Sequence, residues 1–523
     1  MKMFARAVVF VSLVCTTAVA QQSLPKDALD AFTQERYERH LYFLASDSMR
    51  GRNTPSPELE RAADYIAEQF KRIGLEPLGK SYKLPYTLYR PDLDTAKAVT
   101  YLKVTRNGAT QEFRLGKDFV PFDATGETTV KDLPVTFVGF GITAPEYDYD
   151  DYEGLDVKDH VVLALRGEPD GGDTAKFRGP AFTRYASVQH KVNNALSHGA
   201  SAVLLVDAIR APRKPLVTGY SWPALFPNAG RSGRGLTLPD GPNAVPVHHV
   251  GEAVVDAVLG PLDTLRSIVL KIDSSYRPIV RRPDGVTIST SVKLSPEPIV
   301  VHNVGGILRG AKLPDEYAVM GAHYDHVGVG KPNAQGDSIY NGADDNASGT
   351  TSLMVAAEAL ASSTTRPDRS IVFVAFSGEE KGLLGSKAYV ANTPLPMNKC
   401  VAMINTDMIG RCEKNKLSIG GNERCPDLVK INEEENAKSS APFSLAYDIE
   451  QYFFRSDQAS FAMKRIPVLF YFTGEHQDYH KVTDEISKIN FADLLGISRL
   501  ATSVLWRAAH MPRSTYVPAG FEE

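Results

Sequence analysis

The chain has 523 residues, of which 43% are hydrophobic and 23% are charged, and its formal net charge at pH 7 is −4. This length exceeds the roughly 250–300 residues that one hydrophobic core supports, so we expect at least two domains. Because the charge is nearly balanced and the basic residues are scattered, the composition argues against a nucleic-acid partner.

The first twenty residues have the pattern of a secretory signal peptide. Lys2 and Arg6 precede a short apolar run, and Ala18 and Ala20 form a small-x-small cleavage site. The apolar run is shorter than the roughly 20 residues that a membrane span requires. We therefore expect a signal peptide over 1–20 and an exported protein, secreted or periplasmic, without stable insertion in a membrane.

Three cysteines follow the signal segment. Cys412 and Cys425 flank a short polar segment and are predicted to pair, whereas Cys400 begins an apolar run and is predicted to be a small core residue. The sequence contains no Cys-x-x-Cys spacing, so we do not expect a zinc site built from thiolates.

The first clear element is an amphipathic helix over residues 56–73. Its apolar residues recur with the helical period, Pro57 suits the first turn and Gly74 ends the helix. Short strands follow, and Asn107-Gly108 is predicted to turn a hairpin between two of them.

A second unit is predicted over residues 126–294. It has strands at Pro134–Ile142, Val161–Leu165 and Ala202–Val206 and a helix at Tyr185–Ser197, followed by segments rich in proline and glycine. We expect a compact, β-rich domain inserted into a larger one.

Apolar strands alternate with helices over residues 295–512. The predicted strands are Tyr317–Gly321, Ile371–Phe376, Val401–Asn405 and Ile466–Tyr471, and the predicted helices are Ala347–Ala361 and Phe491–Trp506. This alternation indicates an α/β domain, with a mostly parallel mixed sheet and helices on both faces, whose N-terminal part lies at 26–125. Ligand sites in such sheets lie at the carboxyl ends of the strands.

Acidic and imidazole side chains collect after these strands. They are His323, Asp325, Asp345, Glu379, Glu380, Asp407 and His480, with Tyr479 beside the last. So many carboxylates would not all ionise without positive charge nearby, and divalent cations would supply it. Nitrogen and oxygen ligands without sulfur suit Zn²⁺ in an open catalytic site, and a carboxylate with two oxygens can bridge two cations.

These motifs resemble those of the secreted di-zinc exopeptidases of the aminopeptidase Y and aminopeptidase S type, whose relatives include glutamate carboxypeptidase and glutaminyl cyclase. The matching segments, in family order, are His323-Tyr324-Asp325, Gly342–Gly349, Glu379-Glu380, Asn405-Thr406-Asp407 and Tyr479-His480. The segment from Leu44 to Leu75 is similar to the family's opening helices, and the middle unit resembles a protease-associated domain.

The resemblance implies two zinc ions per chain and a role for each residue. One metal would be bound by His323, Asp345 and Asp407, and the other by Asp345, Glu380 and His480, so that Asp345 bridges them. Asp325 would hold the imidazole of His323 in the right tautomer. Glu379 would be the general base, and Tyr479 is a candidate donor to the developing oxyanion. The implied activity is that of an aminopeptidase, which releases N-terminal residues from a peptide substrate through a hydroxide that bridges the metals.

Other interpretations of single residues remain open. Asp345 alone could be a plain helix N-cap, and Tyr479 could have a packing role. His326 and His476 lie close to the ligands and either could support them, but an ordinary role in a polar loop is favoured; Asp344 is interpreted as a residue that shapes its loop.

Other functions also remain open. The protein could be a glutamate-releasing carboxypeptidase, although no cluster of arginines accompanies the motifs, or a glutaminyl cyclase, which works with one zinc. A receptor on a peptidase fold would have lost ligands, and here none is missing.

Overall fold

The computed structural model describes residues 23–93, 100–121, 128–172, 176–177, 183–210, 236–238 and 245–518. The predicted signal peptide at 1–20 lies outside these ranges. The chain divides into a first unit, Met1–Tyr86 with Val301–Glu523, and a second unit, Thr87–Val300.

A sheet with nine strands in the described ranges forms the centre of the first unit. Its strands are β1 (Glu76–Pro77), β2 (Lys83–Leu93), β3 (Leu294–Leu308), β4 (Leu313–His323), β5 (Arg369–Phe376), β6 (Cys400–Thr406), β7 (Lys416–Gly420), β8 (Ser444–Ala446) and β9 (Val468–Phe472). The order across the sheet is β1-β3-β5-β4-β6-β9-β7-β8, and β2 pairs with β3. The central strands β5, β4, β6 and β9 are parallel, so their carboxyl ends meet at one edge.

Helices pack against this sheet. They are α1 (Lys26–Asp30), α2 (Gln34–Leu44), α3 (Pro57–Arg72), α4 (Gly349–Ser362), α5 (Leu384–Asn392), α6 (Pro426–Ala437), α7 (Gln458–Ala462) and α8 (Phe491–Ala508). Helix α4 is buried on almost every side, because it contacts β4, β5 and β6 as well as α2, α3 and α8. The α/β class with a mostly parallel sheet, predicted from the sequence, is confirmed.

Local sequence signals explain where helix α3 begins and ends. The Oγ of Ser56 accepts a hydrogen bond from the main-chain nitrogen of Leu59, Pro57 occupies the first turn, and Gly74 follows the helix with φ 79°. The buried residues of α3 are the apolar ones on the predicted face, Leu59, Ala62, Ala63, Ile66 and Phe70. The helix predicted over 56–73 is therefore confirmed.

In its described residues, the second unit also contains a nine-stranded sheet. In order across it, the strands are Ala109–Phe113, Tyr101–Arg106, Val286–Ser291, Thr129–Val138, Val161–Arg166, Ala202–Asp207, Val247–Val250 and Phe119–Pro121, with Val280–Arg281 beside Thr129–Val138. The described helices are Val188–Ser197, Glu252–Leu259 and Leu262–Ser275. Asn107 and Gly108 turn the predicted hairpin, both with positive φ.

The second unit begins at Thr87, whereas the sequence placed the start of the insertion at 126. The earlier start has a physical reason: strand Tyr101–Arg106 pairs with Val286–Ser291, and Phe119–Pro121 pairs with Val247–Val250. Both early strands thus complete the sheet of the second unit. Its identity as a protease-associated domain stays a prediction.

The predicted pairing of Cys412 with Cys425 is wrong. None of the three cysteines in the described ranges forms a disulfide. The thiol of Cys412 donates to the carbonyl of Lys416, and the sulfur of Cys425 accepts from the main-chain nitrogen of Val468, so each has its own neighbours. Cys400 is fully buried in the core of the first unit, as predicted. Within the described residues, we find no helix of the length and apolar character that a membrane span requires.

Candidate metal centre

The four parallel strands of the first unit present the predicted residues at their common edge. His323 is the last residue of β4, and Asp407 directly follows β6. Glu379 and Glu380 lie in the turn after β5, Asp345 precedes α4, and His480 lies in the loop after β9. The structure therefore brings all five predicted metal ligands and the predicted base together.

The carboxylate of Asp345 lies between two histidines. Nε2 of His323 lies 3.4 Å from Oδ1 of Asp345 and 3.3 Å from Oδ1 of Asp407. Nε2 of His480 lies 3.1 Å from Oδ2 of Asp345 and 3.1 Å from Oε2 of Glu380. Each oxygen of Asp345 thus faces a different histidine and a different second carboxylate, which is the arrangement of a bridging ligand.

Two groups of side chains in the described part of the chain could hold a cation. One consists of His326, Asp345, Glu380 and His480, and the other of His323, Glu379 and Asp407, with the ligand atoms of each group within 4.8 Å of one another. Nε2 of His480 makes no hydrogen bond to a described residue, although it lies close to two carboxylates. Nitrogen and oxygen atoms that converge in this way fit Zn²⁺ or a similar divalent ion.

His326 is not the ordinary loop residue that the sequence interpretation made of it. Its side chain is fully buried, and its Nδ1 lies 2.8 Å from Oε1 of Glu380 and 3.6 Å from Oδ2 of Asp345. It therefore contacts the oxygen of Glu380 that does not face His480. Its place three residues after His323 was the one signal in the sequence.

The charges of the cluster shift several pKa values. Burial raises the pKa of Asp345, and the charge of Glu380 acts in the same direction. Burial would lower the pKa of His480, but the carboxylates of Asp345 and Glu380 raise it to about 10. The chain alone therefore compensates its crowded carboxylates with protons, which bound cations would displace.

Glu379 lines a cleft together with His323, Asp345 and Asp407. Burial raises the pKa of Glu379 well above its ordinary value; His323 opposes this, while Glu380 and Asp407 reinforce it. The main-chain nitrogen of Glu379 donates to Oδ1 of Asp325 at 3.2 Å, which fixes the turn. A carboxylate with a raised pKa inside such a cleft is suited to carry a proton.

Two groups of Asp325 lie near the imidazole of His323, and the role that the resemblance implies for its carboxylate stays a prediction. Nδ1 of His323 lies 3.1 Å from the main-chain oxygen of Asp325, but 3.7 Å from its carboxylate oxygen Oδ1. The nearer acceptor that can orient the imidazole is therefore the carbonyl group. The buried carboxylate accepts instead from the turn that carries Glu379.

Tyr479 lies in the cleft and also packs. Its ring stacks on that of His480, with 3.9 Å between the centroids, and it contacts the cluster of Met408, Phe470 and Phe472. Burial raises the pKa of the Tyr479 phenol, and Asp345 and Glu380 raise it further, so the hydroxyl keeps its proton. Its role as an oxyanion donor stays a prediction.

Asp484 is a residue that the sequence analysis missed. Its carboxylate accepts hydrogen bonds from the main-chain nitrogens of Asp344 and Asp345, at 3.0–3.1 Å. Asp344 in turn accepts from the main-chain nitrogen of Gly410 and lies 3.2 Å from Nε2 of His476. Asp344 therefore shapes the loop, and no spacing rule identifies Asp484.

The cleft beside these residues has an apolar wall and a polar rim. Met408, Tyr452, Phe470 and Phe472 form the wall, the exposed Arg455 and Glu475 form the rim, and the buried Ser456 also lines the cleft. Nη1 of Arg455 donates to Oε1 of Glu475 at 3.1 Å. Arg455 is the only arginine among the described residues that line the cleft.

Comparison with known proteins places the same region in a family. Residues 303–505 match the model of Peptidase family M28, and this range contains the five predicted metal ligands. The resemblance to zinc exopeptidases is confirmed for this segment, which is less than half of the chain.

Individual relatives match parts of the chain. A probable zinc metalloprotease of Pyricularia oryzae is 30% identical over 261 residues, which are 41% of this chain and 51% of the relative. Aminopeptidase NAALADL1 of Mus musculus is 33% identical over 143 residues, 26% of this chain and 18% of that protein. The chain thus spans about half the length of the first of these relatives.

Among solved structures, an aminopeptidase from Aneurinibacillus sp. strain AM-1 aligns with 95% of this chain and 98% of its own, at 18% identity and a TM-score of 0.49.

Proposed function

We propose that this chain, whose residues 303–505 match Peptidase family M28, is a metal-dependent aminopeptidase that binds two zinc ions. The observation that carries the proposal is the position of Asp345, whose two oxygens face His323 and His480 separately. A single cation would need only one of these groups. The family match supports zinc and peptide hydrolysis.

The ligand sets follow from the distances. His323, Asp407 and Oδ1 of Asp345 would hold one ion, and His480, Glu380 and Oδ2 of Asp345 the other. When bound, such ions lower the pKa of water and polarise a carbonyl group.

The remaining chemistry belongs to the side chains of the cleft. Glu379, which lines the cleft with His323 and Asp407, accepts a proton from the attacking water and donates it to the departing amine. The protonated hydroxyl of Tyr479 donates a hydrogen bond to the carbonyl oxygen as negative charge develops there. The apolar wall around Phe470 and Phe472 excludes water and orients the substrate.

The polar rim favours an aminopeptidase over a carboxypeptidase. A carboxypeptidase needs a free cation for the terminal carboxylate of its substrate, and Arg455 is already paired with Glu475. Peptides blocked at one end or the other separate the two activities. We expect N-acetylated peptides to resist hydrolysis and C-amidated peptides to be cut, and the reverse result would contradict the assignment.

The central test is Glu379→Gln, which removes the proton carrier and keeps the shape of the side chain. We expect the variant to retain its zinc, measured by elemental analysis, and to hydrolyse an aminoacyl amide several orders of magnitude more slowly. Glu423→Gln, at an exposed position of the same unit, is the control and should keep full activity. Wild-type turnover by Glu379→Gln would remove Glu379 from the mechanism.

Elemental analysis of the same preparations also gives the number of zinc ions per chain. Two zinc ions per chain support the proposal, whereas one ion together with cyclisation of N-terminal glutamine would indicate a glutaminyl cyclase.

Export also stays a proposal, and it predicts that the mature protein begins at Gln21, which mass spectrometry of secreted material would detect.

A further inference from the structure

We propose that Thr54 and Arg52 are positioning residues of this metal centre. The inference rests on the metal site of the proposed function. Both residues lie in the N-terminal part of the first unit, far along the chain from the ligands and outside the range that matches the family model. The two side chains together tie three ligand-bearing segments to one another.

The hydroxyl of Thr54 joins two of these segments. It donates to Oδ2 of Asp325 at 2.9 Å and accepts from the main-chain nitrogen of Gly378 at 3.1 Å. Asp325 lies two residues after His323, and Gly378 directly precedes Glu379. One buried hydroxyl therefore connects the segment of the first histidine to the turn that carries the base and Glu380.

Asp325 depends on this contact. Its carboxylate is fully buried, and its other oxygen accepts from the main-chain nitrogen of Glu379. Without the Thr54 hydroxyl, both Oδ2 of Asp325 and the N–H of Gly378 would lose a partner inside the protein. A buried polar group without a hydrogen bond is costly, so the backbone would shift to give these groups new partners. The turn that carries Glu379 and Glu380 would shift with it.

The guanidinium of Arg52 holds the third segment. Its Nε donates to the carbonyl oxygen of Tyr324 at 2.8 Å, and its two other nitrogens donate to those of Asn341 at 2.8 Å, Gly342 at 3.1 Å and Leu44. Tyr324 follows His323, and Gly342 begins the segment that carries Asp345. A single planar cation thus fixes the spacing between a terminal ligand and the bridging carboxylate.

Arg52 also contributes charge. The side chain is fully buried and interacts with the charges of Asp325 and Asp345, yet its hydrogen bonds go to carbonyl groups. Its positive charge therefore lies beneath the carboxylates without neutralising one of them by a direct pair, which leaves their oxygens available for metal ions.

Gly51 allows the N-terminal segment to lie this close. It has φ 68°, and a Cβ at this position would lie 2.5 Å from the carbonyl oxygens of Gly328 and Tyr340. The next residues pair with the first ligand segment: the main-chain nitrogen of His326 donates to the carbonyl of Arg52 at 3.2 Å. The backbone of residues 51 and 52, as well as the side chains of Arg52 and Thr54, therefore contacts the segments that carry the ligands.

The test compares Thr54→Val with Thr54→Ser in the full-length protein. Valine keeps the volume and removes the hydroxyl, whereas serine keeps the hydroxyl. Thr502→Val is the matched control, because Thr502 is equally buried in the same unit but donates to Ser498 within helix α8. The first readout is the affinity for Zn²⁺ alone, by competition with a chromogenic chelator, and the second is kcat and KM for an aminoacyl amide.

We expect Thr54→Val to bind Zn²⁺ about 10–100-fold more weakly, because partners that orient ligands carry effects of that size. Thr54→Ser and Thr502→Val should bind it as tightly as the wild type does. Arg52→Lys keeps the charge but cannot reach four carbonyl groups, and it should weaken Zn²⁺ binding in the same direction. We expect kcat to fall in Thr54→Val and in Arg52→Lys while KM changes little.

Wild-type affinity in Thr54→Val, a loss no larger than that in Thr502→Val, or failure of serine to restore binding would overturn the proposal. If Thr54→Val does not give folded protein by circular dichroism, Thr54→Ala replaces it and the same outcomes decide. The zinc readout needs no turnover. A wild-type protein that binds Zn²⁺ and cuts no peptide would therefore refute the proposed activity and leave the role of Thr54 to be judged by affinity.

Discussion

His326 is a buried residue that contacts a proposed metal ligand and also belongs to one of the two groups that could hold a cation. Its Nδ1 lies 2.8 Å from one oxygen of Glu380, and the other oxygen of Glu380 lies 3.1 Å from Nε2 of His480. The contact with His326 thus holds one oxygen of Glu380 and leaves the other directed at His480, so the orientation of the carboxylate is set before a cation arrives. Such preorganisation lowers the free-energy cost of ordering the ligands when a cation binds.

This geometry makes a prediction for His326→Asn. The shorter amide cannot reach Glu380, so we expect the affinity for Zn²⁺ to fall about 10–100-fold. Isothermal calorimetry would measure the change. His40→Asn is the matched control, because His40 is also buried but pairs with Tyr65 on the N-terminal helices. Equal affinities for the two variants would show that His326 does not support the site.

Some residues of the site can be predicted from the sequence because they occupy recognisable positions in the fold, whereas others occupy no such position. His323, Asp345 and Asp407 stand at the ends of strands or the start of a helix, where the fold class already places ligands. Arg52, Thr54 and Asp484 act through hydrogen bonds to groups that lie far from them along the chain, most of them main-chain groups. No spacing or periodicity records such contacts, because they arise only when the tertiary structure forms.

At the scale of elements, the apolar strands and the helices with a clear apolar period were predicted within a few residues. Helix α6 was not predicted, because its buried face includes Asn432 and Glu435 and few apolar residues. Arg507 of helix α8 donates to Glu435 at 3.0 Å, which compensates a buried charge that the sequence alone would place outside. Helix α6 is therefore stabilised by a tertiary contact and not by an apolar face of its own.

One element of the second unit carries a pH-dependent contact. Asp207 ends a strand of the parallel sheet, where Nη1 of Arg166 donates to its Oδ1 at 2.9 Å and Nε2 of His249 lies at 3.5 Å. His249 lowers the pKa of the Asp207 carboxyl to about 2, and Arg166 acts in the same direction against burial.

The direction of the effect follows from proton binding. The unfolded chain protonates Asp207 near pH 4, whereas the folded chain keeps the carboxylate down to about pH 2. The stabilisation is therefore complete above about pH 4 and is lost as the pH falls through about 2. We expect Asp207→Asn to cost about 1 kcal/mol at neutral pH, since the pair is partly exposed.

Urea titrations of the wild type and Asp207→Asn at a series of pH values would measure this cost. The difference in the free energy of unfolding between the wild type and the variant should become smaller as the pH falls from about 5 towards 2. Asp148→Asn serves as the control, because Asp148 is almost fully exposed and should show no such trend. A constant difference would show that the ion pair is not the source of the stabilisation.

At the scale of the whole molecule, the two units should respond differently to metal. The cation-binding groups identified in the described part of the chain lie in the first unit. A ligand that binds only the folded state stabilises it by about 4 kcal/mol at a thousandfold excess over Kd. Removal of zinc should therefore lower the unfolding temperature of the first unit and leave that of the second unchanged.

Differential scanning calorimetry before and after dialysis against a chelator would measure this. Readdition of Zn²⁺ should restore the first transition, and Mg²⁺, which prefers oxygen ligands in an octahedral site, should not. Equal shifts of both transitions, or of neither, would contradict the assignment of the metal to the first unit.

The first unit is assembled from chain segments on either side of the second unit. During synthesis, Arg52 and Thr54 leave the ribosome hundreds of residues before His323 and His480 do. The second unit is continuous and can fold in the interval, but Arg52, Thr54 and the five candidate ligands can come together only after His480 has been made. The proposed metal centre can therefore form only after nearly the whole chain has been made.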